Sequence, residues 1–218
     1  MSLPDRIVER RAPSLSEMAN NLAFSKKLQA VTNKIHATTI LDQIILDVSQ
    51  DICQLFEAER ITIFTVNHAE SKLVSKVKSG LSTFNEEQSP ISRLAIDKQS
   101  IAGFVATHKK LLNISDAYDD NELKQISPEI IFFKNVDQKT GYRSRQILAF
   151  PILEQDQGDL IGVVQLTNTL SGLPFTRLAE QGTIEISKTL AIAFKQRQSG
   201  SPAQIKTKFD HLIAKNIS

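Results

Sequence analysis

The sequence predicts an α+β domain in which helices pack on a mixed antiparallel sheet. Three observations carry that reading. Apolar residues recur at helical spacing near both ends, over 40–56 and again over 178–194. Two pairs of strand-type segments, 59–66 with 72–78 and 146–151 with 160–167, are each joined by a short polar turn. Between the pairs lie a short helix, short strand segments and loops, and this order of elements argues for a mixed antiparallel sheet.

The elements follow in order. Residues 1–13 carry Arg6, Glu9, Arg10 and Arg11 between two prolines and are expected to be a flexible start. A helix opens near Ser14, with Glu17 completing a capping box, and its broken apolar stripe runs from Leu15 through Met18, Leu22, Leu28, Val31 and Ile35 to about His36. A second helix, capped near Thr38 or Thr39, runs to about Phe56 and carries Cys53 as a small apolar filler. Glu59–Val66 and Lys72–Lys78 alternate as an antiparallel hairpin. Gly80–Pro90 reads as polar loop and Ile91–Leu94 as a short edge strand.

Gln99–His108 reads as a short helix with Ile101, Phe104 and Val105 inward. Gly103 inside it weakens the helix, and one use of a missing side chain is to let something approach closely. Leu111–Ile114 is a short strand, Ser115–Asn121 an acidic loop, and Glu122–Lys134 could form one helical turn on each side of Pro128. Gln146–Pro151 is a buried strand that Pro151 stops. Leu160–Thr167 is its partner and nearly continuously apolar, hence central in the sheet. The last helix starts at Phe175 or Thr176 and runs through Leu178, Ile184, Ile186, Leu190, Ile192 and Phe194 to about Gln198. The expected units are a flexible terminus (1–13), an N-terminal helix (14–36), a domain (37–198), and a linker with a following segment (199–218).

Composition excludes several function classes. With 26 basic and 24 acidic residues the net charge is +2, which gives no electrostatic reason for nucleic acid or an anionic membrane. One cysteine cannot form an intrachain disulfide or a multi-cysteine zinc site. The longest apolar runs fall far short of the ~20 residues of a membrane span, no signal peptide is evident, and a cytoplasmic protein is expected. His36, His68, His108 and His211 have no metal-ligand spacing. No nucleophile stands with a base, so the chain is not expected to be an enzyme, and no metal or cofactor is expected.

The stretch that could hold a ligand is Asn135–Pro151. Its first half is dense in hydrogen-bonding groups: Asp137, Lys139, Thr140, Tyr142, Arg143, Ser144 and Arg145, with Gly141 as a flexible point. A polar loop leading straight into a buried strand holds its donors and acceptors still, which suits a binding site; the same composition also fits an ordinary solvated loop.

Four ordered blocks then carry a resemblance. They are Ile101–Thr107, Leu112–Tyr118, Val136–Ile152 and Ile161–Asn168. Together they resemble a GAF domain over roughly residues 38 to 197, and more narrowly the cyclic-nucleotide-binding GAF domains of phosphodiesterases and cyanobacterial adenylyl cyclases. The resemblance implies a PAS-like, six-stranded antiparallel sheet, helices packed behind one face, long terminal helices, and a ligand pocket on the other face under a mobile helix and loop. It implies cyclic AMP or cyclic GMP as ligand. Thr62 falls where the family has a Ser near the nucleotide, and Ile101 and Ala102 fall at the helix start beside the cyclic phosphate. A helix N-terminus with free N–H groups suits that anion. Asp137, Thr140 and Ser144 fall on a contacting Asp, Thr, Thr set, Phe133 near an aromatic that covers the base, and Gln165 in place of a Glu.

The departures are equally specific. A Phe-Asp pair that the family uses for the base reads Lys78-Ser79 here. The Asn-Lys-Phe-Asp-Glu signature keeps Asn168, Phe175 and Glu180, while its Lys and Asp are Thr169 and Ala179. GAF-type methionine sulfoxide reductases rely on several cysteines, which this chain lacks. The readings left open are a sensor that dimerises through its terminal helices and a docking domain with a degenerate pocket. Residues 208–218 are similar to the opening of the N-terminal domain of type II secretion and type IV pilus ATPases, which would make that the output; an amphipathic trailing helix fits as well.

Overall fold

The computed structural model describes residues 13–37, 41–80 and 93–198. Two long helices lead into the sheet, α1 (Leu15–Ala37) and α2 (Leu41–Leu55). The hairpin β1 (Ala58–Asn67) and β2 (Lys72–Gly80) follows, then the short β3 (Arg93–Ala95). The middle of the chain forms α3 (Ile101–His108), β4 (Leu112–Ile114), α4 (Asp120–Ile126) and α5 (Asn135–Thr140). The second hairpin, β5 (Ile147–Leu153) and β6 (Leu160–Thr169), leads to α6 (Arg177–Gln198). The expected caps at 38 and 39, the expected loop at 81–90, Ile91, and the segment 199–218 lie outside the described residues.

The six strands form one antiparallel sheet in the order β3-β2-β1-β6-β5-β4. Period-two alternation sorts its residues onto two faces. Ile61, Ile63, Leu148, Phe150, Ile152, Val164 and Leu166 meet α1, α2 and α6 in one core. Phe64, Ile147, Ala149 and Val163 meet α3 and the β4–α4 region in a second core on the opposite face. The pairing of β1 with β2 shifts register between Ile63 and Phe64. α1 lies across α2 and α6. Its capping box is formed: Ser14 N–H donates to Glu17 Oε2 (2.6 Å) and Glu17 N–H to Ser14 Oγ (3.2 Å). The Ser14 N–H holds the Glu17 carboxyl below its usual range. Gly182 of α6 lets α1 dock, since a Cβ there would stand 2.6 Å from the Phe24 ring.

Three expectations are corrected. Asn135–Thr140 is helix rather than loop; Thr140 Oγ1 bonds back to Val136 O (2.9 Å), and Gly141 at φ 68° ends the helix in the left-handed conformation. Pro151 does not stop β5, which runs on to Leu153. β4 covers only residues 147–149 of that edge, so at residue 151 the missing N–H faces no partner strand. The helical turn expected after Pro128 is absent: residues 127–133 are irregular, and helix resumes at Asn135. Along α1 the apolar stripe divides: Leu15, Met18 and Leu22 are exposed, whereas Val31 and Ile35 are buried; on α6 Ile184 is exposed.

Candidate functional site

The cavity on the α3 face of the sheet has a volume of about 430 Å³, within the ~300–1,000 Å³ of ordinary small-molecule sites. Its floor is set by strand register. Thr62 on β1 stands directly opposite Gln165 on β6, and Arg60 opposite Thr167; all four line the cavity. On the far side of β6, Gln165 pairs with Ala149 of β5, so a hydroxyl, an amide and a methyl form one row.

One wall is the start of α3. Ser100 caps it, its Oγ accepting from Gly103 N–H (3.0 Å) while its carbonyl accepts from Phe104 N–H (2.8 Å). Ile101 and Ala102 follow at the cavity wall, in the turn whose N–H groups have no intrahelical acceptor. Gly103 serves close packing within the protein: a Cβ would lie 2.8 Å from the carbonyl oxygens of both Ala95 and Asp97.

The roof is the segment from Ile131 to Ser144. Ile131 N–H donates to Gln99 O (2.8 Å), which pins the roof beside the start of α3. Phe133, Ile131 and Val136 line the cavity while each remains about half exposed, giving the mouth an apolar rim. Asp137 is buried. Its Oδ2 accepts from Ser144 N–H (2.7 Å) and the Tyr118 hydroxyl (3.1 Å), and its Oδ1 from the Ser144 hydroxyl (2.9 Å). The Tyr118 ring lies under two cations, Arg143 (4.2 Å) and Lys134 (4.9 Å). Burial, followed by the bond to Asp137, raises the Tyr118 pKa above its ordinary value.

A second network holds the arm between the roof and β5. Asn168, at φ 55°, accepts from Arg145 N–H (2.7 Å) and donates to Arg143 O (2.9 Å) and Glu59 Oε2 (3.0 Å). The Tyr142 hydroxyl donates to the same Glu59 oxygen (2.9 Å), and the Arg60 guanidinium lies 3.7 Å over the Tyr142 ring. Burial, then the bond to Glu59, pushes the Tyr142 pKa up strongly. Where the signature's Lys and Asp are replaced, other bonds close the region. Thr169 Oγ1 donates to Leu173 O (2.5 Å), and the Asn113 amide donates to Glu180 Oε1 (2.7 Å) and Phe175 O (2.9 Å).

The eight residues singled out in the sequence, Thr62, Ile101, Ala102, Phe133, Asp137, Thr140, Ser144 and Gln165, all line this one cavity. Their side chains are not all turned to a ligand: Asp137, Thr140 and Ser144 bond to protein groups. Sequence reasoning missed Arg60 and Thr167. Each lies two residues from a chosen one on the same strand, so period two alone would have found them. Lys139, noted only as part of a polar stretch, also lines the cavity. The side chains of Lys78 and Ser79 lie outside the described residues.

Elsewhere, Cys53 is fully buried in α2, and burial pushes its thiol up to about 12. No described helix is long and apolar enough to cross a membrane, and no cluster of potential metal ligands occurs among the described residues.

Comparison with known proteins agrees with this geometry. The chain is 30% identical over 175 residues to a probable 3',5'-cyclic phosphodiesterase of Caenorhabditis elegans, covering 75% of this chain and 22% of that protein. It is 31% identical over 159 residues to the dual 3',5'-cyclic-AMP and -GMP phosphodiesterase 11A of Takifugu rubripes, covering 70% of this chain and 16% of that protein. The chain thus spans less than a quarter of either relative. Among solved structures, the GAF domain of a phosphoenolpyruvate-protein phosphotransferase from Coxiella burnetii superposes with a TM-score of 0.66 at 20% identity, over 83% of this chain and 98% of that one. Free methionine-R-sulfoxide reductase from Neisseria meningitidis gives 0.62 at 14% identity, over 84% and 94%. At those identities the structures speak for the fold alone. Residues 41–194 match the GAF domain family, and with the six-stranded sheet, the helices behind it and the cavity in front, the chain belongs to the GAF domain family of regulatory sensor domains.

Proposed function

We propose that this GAF domain binds a 3',5'-cyclic nucleotide, cyclic AMP or cyclic GMP, in the cavity between the sheet and the 131–144 roof. The observation that carries the reading is the convergence of eight residues, chosen from four separate stretches of sequence, on one cavity of about 430 Å³. The phosphodiesterase relatives at about 30% identity point the same way. In this reading the N–H groups at the start of α3 that lack an intrahelical acceptor take the cyclic phosphate, with Ile101 and Ala102 at the contact. Lys139 and Arg60 add positive charge, Phe133 covers the base, and Thr62 and Gln165 meet its edge. Thr140, Ser144 and Asp137 fix the roof and meet the ribose. The domain is a sensor and not an enzyme in this reading, since the one thiol is sealed in α2.

Signal would pass through the helices. Leu15, Met18 and Leu22 form an exposed apolar stripe on α1, which we assign to pairing with a second copy. Ligand then acts by its differential affinity for two pairings, altering an attached output domain; a secretion or pilus ATPase following residue 208 is the output proposed from the tail. The second reading, a docking domain that binds no ligand, is favoured by one observation: Asp137 and Ser144 already satisfy each other. Calorimetry with cyclic AMP and cyclic GMP separates the two. Saturable heat with either nucleotide is expected; no heat and no thermal shift at millimolar nucleotide leaves the docking reading. Sedimentation at tens of micromolar tests the pairing, and a monomer there overturns it.

A further inference from the structure

The chemistry of the cavity floor and roof distinguishes the two purines. Guanine presents adjacent N1–H and N2–H₂ donors on its Watson–Crick edge, so a protein that prefers it needs acceptors, and a carboxylate serves best. Asp137 carries the only carboxylate among the described cavity-lining residues, and its two oxygens already take three donors: Ser144 N–H, the Ser144 hydroxyl and the Tyr118 hydroxyl. Arg60 and Lys139 are donors only. Guanine's two donors would therefore enter a site whose acceptors are hydroxyls and one amide oxygen.

Adenine presents the other pattern, an N6–H₂ donor next to the N7 or N1 acceptor. An amide matches that pair with one oxygen and one N–H₂, as Gln does in bidentate contacts to adenine. Gln165 stands at the centre of the floor row, between the Thr62 hydroxyl and the Ala149 methyl. Ala149 is fully buried in the second core, which closes that side of the row and leaves the cavity as the open side of Gln165. Among the described residues the Gln165 amide has no protein partner, unlike Asp137, Thr140 and Ser144, and it is partly exposed to the cavity.

Resting on the cyclic-nucleotide reading above, we propose that Gln165 reads the base and makes the site select adenine over guanine, so that cyclic AMP is the ligand. The competing reader is Arg60, whose fork could take guanine O6 and N7. Its guanidinium lies 3.7 Å over the Tyr142 ring, two residues along the register from Gln165 at the Thr167 end of the floor. Held against that ring, Arg60 offers donors only, whereas among the described lining side chains the Gln165 amide alone offers a paired donor and acceptor.

The test is competitive titration of the full chain with cyclic AMP and cyclic GMP, followed by Gln165→Glu with its melting temperature checked. Cyclic AMP is expected to bind at least tenfold tighter. Gln165→Glu replaces the amide donor with a second acceptor, so the preference should reverse toward cyclic GMP by at least tenfold in the ratio. Cyclic GMP binding as tightly as cyclic AMP or tighter overturns the assignment of Gln165 while leaving the cyclic-nucleotide reading standing. A folded Gln165→Glu variant with an unchanged ratio does the same. If neither nucleotide binds the unaltered chain, the cyclic-nucleotide reading falls and the selectivity falls with it.

Discussion

Asp137 and Ser144 clasp each other across the end of α5: one carboxylate takes both the backbone N–H (2.7 Å) and the hydroxyl (2.9 Å) of the same serine. The clasp closes a loop of six intervening residues and anchors the roof to the start of β5. The Tyr118 hydroxyl joins it from the β4–α4 segment (3.1 Å), so the same carboxylate ties the roof to the second core. A residue read in the sequence as a ligand contact is therefore a structural joint of the roof.

Replacing Asp137 by Ala tests the joint. The change removes three hydrogen bonds to a charged acceptor and strands the Ser144 N–H in a buried position. Bonds of that class are worth roughly 1.5–3 kcal/mol each, but they share one acceptor and are not additive, so a loss of about 2–3 kcal/mol is expected. At about 2–4 °C per kcal/mol for a chain of this size, the melting temperature should fall by roughly 5–10 °C. A fall of less than about 1 °C in a thermal scan would show that the clasp does not hold the roof.

Asn168 combines backbone and side-chain demands. Its φ of 55° is costly for a residue with a Cβ, by about 1–2 kcal/mol, unless the side chain bonds locally. Here it bonds Arg145, Arg143 and Glu59. Asn168→Ala keeps the strain and loses the bonds, for an expected cost of about 3 kcal/mol in urea unfolding. Asn168→Gly loses the same bonds but relieves the strain, so it should cost about 1 kcal/mol less than Ala. Equal midpoints for the two variants contradict the strain argument.

Those two residues show where the sequence was legible. The strands were, because alternation and turn residues fix faces locally, whereas Thr62 and Gln165 were brought to one site by the family resemblance, since the β1–β6 pairing spans about a hundred residues. The terminal helices were legible in extent but not in facing: Leu15, Met18 and Leu22 continue the stripe of Val31 and Ile35, yet α2 and α6 cover only the C-terminal half of α1. The 127–144 roof was the least legible. α5 has only six residues, and its helix is held by the Gly141 cap and the Asp137 clasp more than by periodicity. Pro151 misled because whether a proline ends a strand depends on whether a neighbour strand reaches it. The Asp137–Tyr118 and Tyr142–Glu59 bonds span 19 and 83 residues, and no local pattern announces them.

The tyrosines give a pH signature. Both Tyr118 and Tyr142 have pKa values raised above the ordinary tyrosine value, chiefly by burial and then by bonds to Asp137 and Glu59. A raised value means the folded state holds these protons more tightly than the unfolded state. The resulting stabilisation is present below the unfolded pKa of ~10 and is lost as pH rises through the folded values. The chain has 2 tyrosines and no tryptophan, so ultraviolet absorbance reports them cleanly. Tyrosinate should appear well above pH 10 and together with unfolding; a reversible native titration centred at the ordinary value contradicts the buried bonds.

Cys53 supplies a chemical check on the helix face. Its thiol is fully buried and pushed up to about 12, so at pH 8 the thiolate fraction is on the order of one in ten thousand. A disulfide-exchange reagent should label the native protein only as fast as it unfolds, and label one thiol per chain in denaturant. Rapid stoichiometric labelling in native buffer would place Cys53 at an accessible surface and reopen a redox role.

Gly103 connects stability to the proposed site. In an exposed helix, Gly→Ala gains up to about 1 kcal/mol. At this position a Cβ would sit 2.8 Å from two backbone carbonyl oxygens, of Ala95 and Asp97, and 2.7 Å from the capping Ser100 Oγ. Backbone carbonyls cannot swing aside, so the first turn of α3 must lift away from the 95–97 segment. Overpacking of this kind costs roughly 1–3 kcal/mol, which outweighs the gain in helix propensity. Gly103→Ala should therefore lower the melting temperature, and it should weaken nucleotide binding further because the same turn carries Ile101 and Ala102 at the cavity wall. A variant that is more stable than the unaltered chain would mean that the packing between α3 and residues 95–97 is looser than these distances require.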